Sequence, residues 1–192
     1  MPSATTTRRV SRRAPGLPAD ERRAAIVAAV VPLLSEYGET MTCRQIAEAA
    51  GIAEGTIFWV FADKDELIGA ALDAALDQAP VEAALRAIST DGTFEERLIA
   101  ATEIIQRRVV DMWRLGSKFG PAMKRHGSGP LADSPALAEI FLACDDLRIE
   151  PLEAARMLRA LALSLTHPML AGEPTPAADI VDLLLHGLVR SS

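Results

Sequence analysis

At 192 residues, with 49% hydrophobic residues but only 4% aromatics, the chain can bury one or two small cores and favours helices over sheets. It has no run of about 18 uninterrupted apolar residues, which excludes a membrane-spanning helix. No apolar segment directly follows Arg8, Arg9, Arg12 and Arg13, which argues against a secretory signal and for a cytoplasmic protein. The net charge of −6 looks wrong for a nucleic-acid binder until it is divided: up to Ala70 there are eight basic against nine acidic residues, and beyond it twelve against seventeen.

Residues 1–18 are rich in Ser, Thr, Arg and Pro and lack periodicity, the composition of an arm that stays disordered by itself. Six arginines against Asp20 and Glu21 within the first 25 residues make that arm basic, fit either to follow a phosphate backbone or minor groove or to serve as a solubilising tail. Asp20 is the expected N-cap of a first helix, with Ile26, Val30, Leu33 and Tyr37 as its apolar stripe. Pro32 is expected to kink it, and Gly38 ends it.

Thr42 and Gln45 have the spacing of a capping box, so a second helix should start at Cys43. Ile46, Ala47 and Ala50 give it a narrow face of small residues, and Gly51 supplies the left-handed residue that lets the chain turn and restart at Glu54. On the short third helix Ile57 and Phe61 face inward, leaving Gly55, Thr56, Phe58, Trp59 and Val60 outside or at the edges. Asp63 with Glu66 predicts another capping box and places Lys64 at a helix N-terminus, where an ammonium and backbone dipoles suit a phosphate.

Helix, tight glycine turn and short second helix form the unit that sets its second helix in the DNA major groove. Ile46-Ala47, Ala50-Gly51, Gly55-Thr56, the aromatic Phe58, Phe61 and Lys64-x-x-Leu67 resemble the DNA-binding domain of the TetR family of bacterial repressors, over roughly Asp20 to Leu72. The expected DNA-binding residues are Thr42, Arg44, Gly55, Thr56, Phe58, Trp59 and Lys64. Arg44 can reach a guanine edge or a phosphate, or pair with Glu48 one turn on. The resemblance implies a tyrosine at Phe58 whose hydroxyl touches the DNA backbone. Here the hydroxyl is absent, leaving contact with a thymine methyl. Trp59 either packs on the groove wall or tucks against the first helix.

From Asp63 an apolar run reaches Ala79, predicting a connector helix kinked at Pro80 and resuming to Ile88, with a domain boundary between 19–79 and 80–192. Ser89 to Gly92 is a turn. Thr93 and Glu96 form a third capping box, opening an amphipathic helix to about Leu115. Residues 116–134 read as a loop over the interior, and Ser134 caps a helix through Leu147. Two further helices, from Ile149 to about Met169 and from Pro176 to Val189, are apolar on more than one side, which predicts a second buried face. A two-fold dimer supplies it, with Leu158, Leu161, Leu165, Ile180, Leu184 and Leu188 at the interface, the arrangement that the resemblance also implies; the alternative is that the two helices simply close the core of one subunit.

Phe94, Ile105, Met112, Trp113, Phe119, Met123 and Phe141 are candidates for a ligand cavity, although the same stripe also describes plain core. His126, His167 and His186 lack metal-ligand spacing. Cys43 and Cys144 read as small packing residues, with a redox role for Cys43 as the alternative. No nucleophile elbow, phosphate loop or paired-carboxylate motif occurs, and no cofactor or metal is expected. The chain therefore reads as an all-helical, non-enzymatic, dimeric regulator, most simply a repressor, that binds a near-palindromic DNA operator and is released by an apolar small molecule. The alternatives are a small-molecule sequestering protein with a degenerate DNA motif and an architectural DNA binder without an effector.

Overall fold

The computed structural model describes residues 18–120 and 132–187. The described residues are all-helical, with no strand: α1 (Ala19–Tyr37), a 3-10 turn (Gly38–Thr40), α2 (Cys43–Ala50), α3 (Glu54–Ile57), α4 (Lys64–Leu76), α5 (Ala79–Arg86), α6 (Phe94–Phe119), α7 (Pro135–Phe141), α8 (Pro151–Thr166), α9 (Pro168–Ala171) and α10 (Ala177–His186). The arginines of the N-terminal arm, Met123, His126 and Leu188 lie outside the described residues.

Pro18, not Asp20, occupies the N-cap of α1, and no side chain caps that end. Asp20 and Glu21 sit in the first turn, where carboxylates favour the helix dipole. The helix continues through Pro32. Ala28, whose carbonyl loses its amide partner to the proline ring, is exposed, so water can satisfy it. The buried stripe is Ile26, Val30 and Leu34, with Leu33 and Tyr37 only half-buried against it.

Helix α2 has the capping box that its sequence predicts: the Thr42 hydroxyl accepts from Gln45 N, and Gln45 Oε1 accepts from Thr42 N at 2.8 Å. Gly51 closes it at φ 64, and Ile52 N donates to the Ala47 carbonyl at 3.0 Å, the six-to-one bond of a Schellman end. Only half of the box expected at Asp63 forms. Asp63 accepts from Glu66 N at 2.8 Å, but Glu66 Oε2 accepts from Ala62 N at 2.7 Å, because Arg23 holds the other oxygen at 2.9 Å.

The connector is not a single kinked helix. α4 stops at Leu76, and Pro80 lies in the first turn of a separate helix, α5. Proline's missing amide costs nothing there. Asp77 Oδ1 accepts from Ala79 N at 3.0 Å to start α5.

Two cores result. The first joins Val30, Leu34, Ile46, Ile57, Phe61 and Leu67, among others, to Leu115 and Phe119 of α6; the second joins Leu98, Ala101 and Ile105 of the same α6 to α5, α7, α8 and α10. Helix α6 is thus longer than its sequence suggests, running to Phe119, because its last turn has a hydrophobic destination in the first core. Gly38 permits that approach: it has φ 58, and a Cβ there would stand 3.2 Å from Lys118 Cβ. Helices α7 and α8 are shorter than expected, ending at Phe141 and Thr166.

Leu158 and Ile180, expected to face a partner subunit, are completely buried in the second core. They lie on the inward faces of α8 and α10. Leu161, Leu165 and Leu184 are half-buried at its margin.

Candidate functional site

The first candidate surface is built from α2 and α3. With Ile57 and Phe61 buried, the helical turn must present Phe58 and Trp59 outward, and they are 52% and 89% exposed. Trp59 therefore does not tuck against α1. Two adjacent large aromatics in water cost on the order of 1–3 kcal/mol each relative to burial, which makes the pair a candidate contact surface.

Arg23 of α1 fixes this turn from behind. Its guanidinium lies 4.2 Å from the centre of the Phe61 ring, donates from Nη1 to the Val60 carbonyl at 3.2 Å and from Nη2 to Glu66 Oε1 at 2.9 Å. The Ala62 amide first, and Arg23 second, hold the Glu66 carboxyl below its usual range. Sequence reasoning missed Arg23 in this role. It lies one helical turn before Ile26, and only its stacking on Phe61 reveals what it does.

The remaining expected contact residues lie on or at the ends of α2, α3 and α4. Gly55 is exposed, and a Cβ there would meet nothing within 4 Å. Thr56 is half-buried, and its amide bonds the Ala53 carbonyl at 2.8 Å. Thr42 uses its hydroxyl within the α2 cap. Arg44 pairs with Glu48 at 3.1 Å while 82% exposed, a bond worth only a few tenths of a kcal/mol that a phosphate can displace. Lys64 Nζ donates to the Glu39 carbonyl at 2.8 Å, which ties the start of α4 to the turn after α1.

The second candidate is a cavity of about 510 Å³ between α5, α6 and α8, of the size that drug-like ligands occupy. Its apolar wall is Val81, Leu85, Ile105, Val109, Met112 and Leu163, with Trp113 beside them. Trp113 meets His167 edge-on at 4.8 Å. His167 Nδ1 accepts from the Met169 amide at 3.3 Å. Of the residues expected to line a pocket, Ile105, Met112 and Trp113 do so. Phe94 and Phe141 instead pack on each other edge-on at 5.9 Å in the second core, Phe141 also lining a separate hollow with Leu147, Ile149 and Leu184, and Phe119 is buried in the first core.

The polar lining was not anticipated. Arg108, Arg159, Glu82, Gln78, Ser117 and Ser134 all reach the cavity. Arg108 Nη1 donates to the Ala75 carbonyl at 2.6 Å and Nη2 to the Asp77 carbonyl at 3.2 Å, capping the end of α4. Burial pushes its guanidinium below the usual arginine range, with Asp111 and Asp77 opposing. Charged residues at irregular spacing on a long amphipathic helix read as solvated face, and their inward direction depends on packing that a sequence does not display. Among the described residues no cluster of three or more His, Cys, Asp or Glu is placed to hold a metal, and no helix is long and apolar enough to cross a membrane.

Residues 26–71 match the family described as bacterial regulatory proteins, tetR family. No curated protein matches the chain. Among solved structures, a TetR-family transcriptional regulator from Mesorhizobium loti MAFF303099 shares the fold at TM-score 0.58 with 16% identity, over 88% of this chain and 98% of that one. A TetR transcriptional regulator from Streptomyces coelicolor superposes at TM-score 0.55 with 24% identity, over 88% and 99% of the two chains. The TetR-like regulator LfrR from Mycobacterium smegmatis, solved in complex with proflavine, reaches TM-score 0.50 with 22% identity, over 91% of this chain and 100% of its own.

Proposed function

We infer that this chain, a member of the TetR family of bacterial regulatory proteins by its residues 26–71 and by its fold, is a cytoplasmic, dimeric, ligand-responsive repressor and not an enzyme. Residues 19–79 form the DNA-reading unit, preceded by a basic arm at 1–18, and residues 80–192 form the effector and dimerisation unit, which lends the end of α6 to the first core. A near-palindromic operator is read by two copies of α2 and α3. The observation that carries this reading is the outward pair Phe58 and Trp59 in the turn that ends α3, between Ile57 and Phe61, which are wholly buried.

Arg44 supplies the guanidinium for base or phosphate contact, Thr56 and Lys64 contact the backbone, and Phe58 and Trp59 pack on thymine methyls and the sugar wall of the groove. A mostly apolar effector occupies the cavity beside Trp113. LfrR was solved with proflavine, which supports a small-molecule site in this fold. Helix α6 carries the response, since one helix lines the cavity through Ile105, Val109 and Trp113 and enters the DNA-reading core through Leu115 and Phe119. A ligand shifts the DNA-reading units only by its differential affinity for two settings of that helix.

The test is an electrophoretic shift with DNA from upstream of the protein's own gene across a salt series. The expected result is a retarded dimer complex whose affinity falls steeply with salt. Equal affinity for that DNA and for random DNA removes the operator from the account. A sequestering protein with a degenerate motif is the second reading, favoured by the lack of any basic residue in α3 and by the engagement of Arg44 with Glu48. Absence of any shift selects it.

A further inference from the structure

Arg108 and Arg159 both line the cavity, and burial lowers both guanidiniums below the usual arginine range. Among the described residues neither has a carboxylate within ion-pairing distance. Arg108 donates to the Ala75 and Asp77 carbonyls, and its Nε is buried without a hydrogen-bond partner. Arg159 donates to the Ala132 carbonyl. Each guanidinium has five N–H groups, so both retain donor capacity.

The acids nearby are already engaged. Glu82 accepts from the Ser134 hydroxyl, from Ala136 N at 3.0 Å and from Arg86 at 3.5 Å, which turns its charge to the start of α7. Asp133 is held in a two-pronged pair by Arg156 at 2.7 and 2.8 Å. Two partly desolvated cations therefore face a mainly aliphatic space in which Glu82, hydrogen-bonded at the start of α7, is the one lining carboxylate among the described residues; Glu82 and Asp133 offset the burial of Arg159 only in part, an arrangement that is costly unless a ligand completes it. A carboxylate accepts two parallel N–H bonds from such a fork.

Resting on the reading of this cavity as the effector site, we propose that its ligand is an organic anion: a mostly apolar, ring-containing molecule whose carboxylate is held by Arg108 and Arg159 while its body lies against Trp113, Met112 and Val109. A purely apolar compound leaves the two guanidiniums unmatched, and a cation meets them with like charge. The ligand class is thus opposite in charge to proflavine.

The experiment is calorimetric titration of the full chain with naphthalene-2-carboxylate, its carboxamide and proflavine. The carboxylate is expected to bind at least about tenfold more tightly than the amide, the order of a charge-assisted over a neutral pair. In Arg159→Gln that preference drops to less than about threefold, with the amide's affinity near its original value; Arg108→Gln does the same. Amide or proflavine binding as tightly as the carboxylate, a preference that survives both substitutions, or binding of none of the three overturns the proposal. The operator assay separates it from the effector reading. An arginine-dependent carboxylate that leaves operator affinity unchanged upholds the anion site and refutes the effector role, whereas operator release by proflavine alone upholds the effector role and refutes the anion site.

Discussion

Arg108 Nη1 donates to the carbonyl of Ala75 at 2.6 Å, so a residue lining the cavity caps the helix that leaves the DNA-reading unit. The last carbonyls of α4 have no partner within the helix, and a cation there also favours the helix dipole. Replacing Arg108 by Met should lower stability by about 1–2 kcal/mol, the worth of charge-assisted bonds less the relief of desolvating a half-buried charge. Urea denaturation measures it. The same variant should bind operator but respond weakly to the effector, read by anisotropy with and without ligand; a full response would show that the cap is structural only.

Arg23→Ala removes the stack on Phe61 and the bonds to Val60 and Glu66. The expected loss is about 1–2 kcal/mol, from a partly exposed cation–π contact and ion pair together. Arg23→Lys should recover less than half of it, since an ammonium cannot fork to two acceptors while lying on a ring. Full rescue by lysine would argue that only the charge matters.

Acid should weaken the fold through three separately placed carboxylates. Glu66, Glu96 and Asp133 are each held below the usual carboxylate range: Glu66 by the Ala62 amide and Arg23, Glu96 by the Thr93 cap, Asp133 by Arg156. A lowered native pKa means that the unfolded chain binds protons more readily, so the stabilisation is whole above the unfolded value near 4 and is lost as pH falls through the lower folded value. Melting temperatures of the wild type should fall below about pH 4.5, and Glu66→Gln should show a shallower acid limb. Identical limbs would remove Glu66 from the cause.

The first half of the chain was legible because its signals are local. The Thr42 and Thr93 caps, the glycine at 51 and the inward pair Ile57 and Phe61 follow from spacing alone and are found as expected. What the sequence hid is long-range. Met41, between two threonines, carries no periodic cue yet is fully buried, and Phe119 reads as part of a loop until the first core is seen to receive it. The cavity was legible only through Ile105, Met112 and Trp113 on one face of α6. Its arginines were not, because long charged side chains on the margin of an amphipathic helix can turn either way.

Trp59→Ala should cut operator affinity by about tenfold or more if the indole packs on the groove wall, at little cost in stability, since the side chain is 89% exposed. Ile57→Ala, two residues earlier and facing inward, should instead cost about 2–5 kcal/mol of stability through the cavity it leaves. Measuring both variants by anisotropy and denaturation separates contact from scaffold. Unchanged DNA binding by Trp59→Ala would remove the indole from the interface.

Leu158 and Ile180 are buried within one subunit, so the dimer proposed above would have to pair through the outer faces of α8 and α10. On α8 the exposed positions Met157, Ala160 and Ser164 recur at helical spacing, and small side chains there allow a second α8 to approach closely. Ala160→Arg places a bulky cation at the centre of such a contact and should shift the dimer toward monomer by at least about a hundredfold in dissociation constant, the order of burying an unpaired charge at an interface. Leu158→Ala should cost about 2–5 kcal/mol of subunit stability while leaving the association constant of the folded chain within a few-fold. Sedimentation equilibrium on both variants discriminates the two faces: dissociation by Leu158→Ala with Ala160→Arg still dimeric would return the interface to the inward leucines, and a wild type that is monomeric at micromolar concentration would remove the paired operator-reading units altogether.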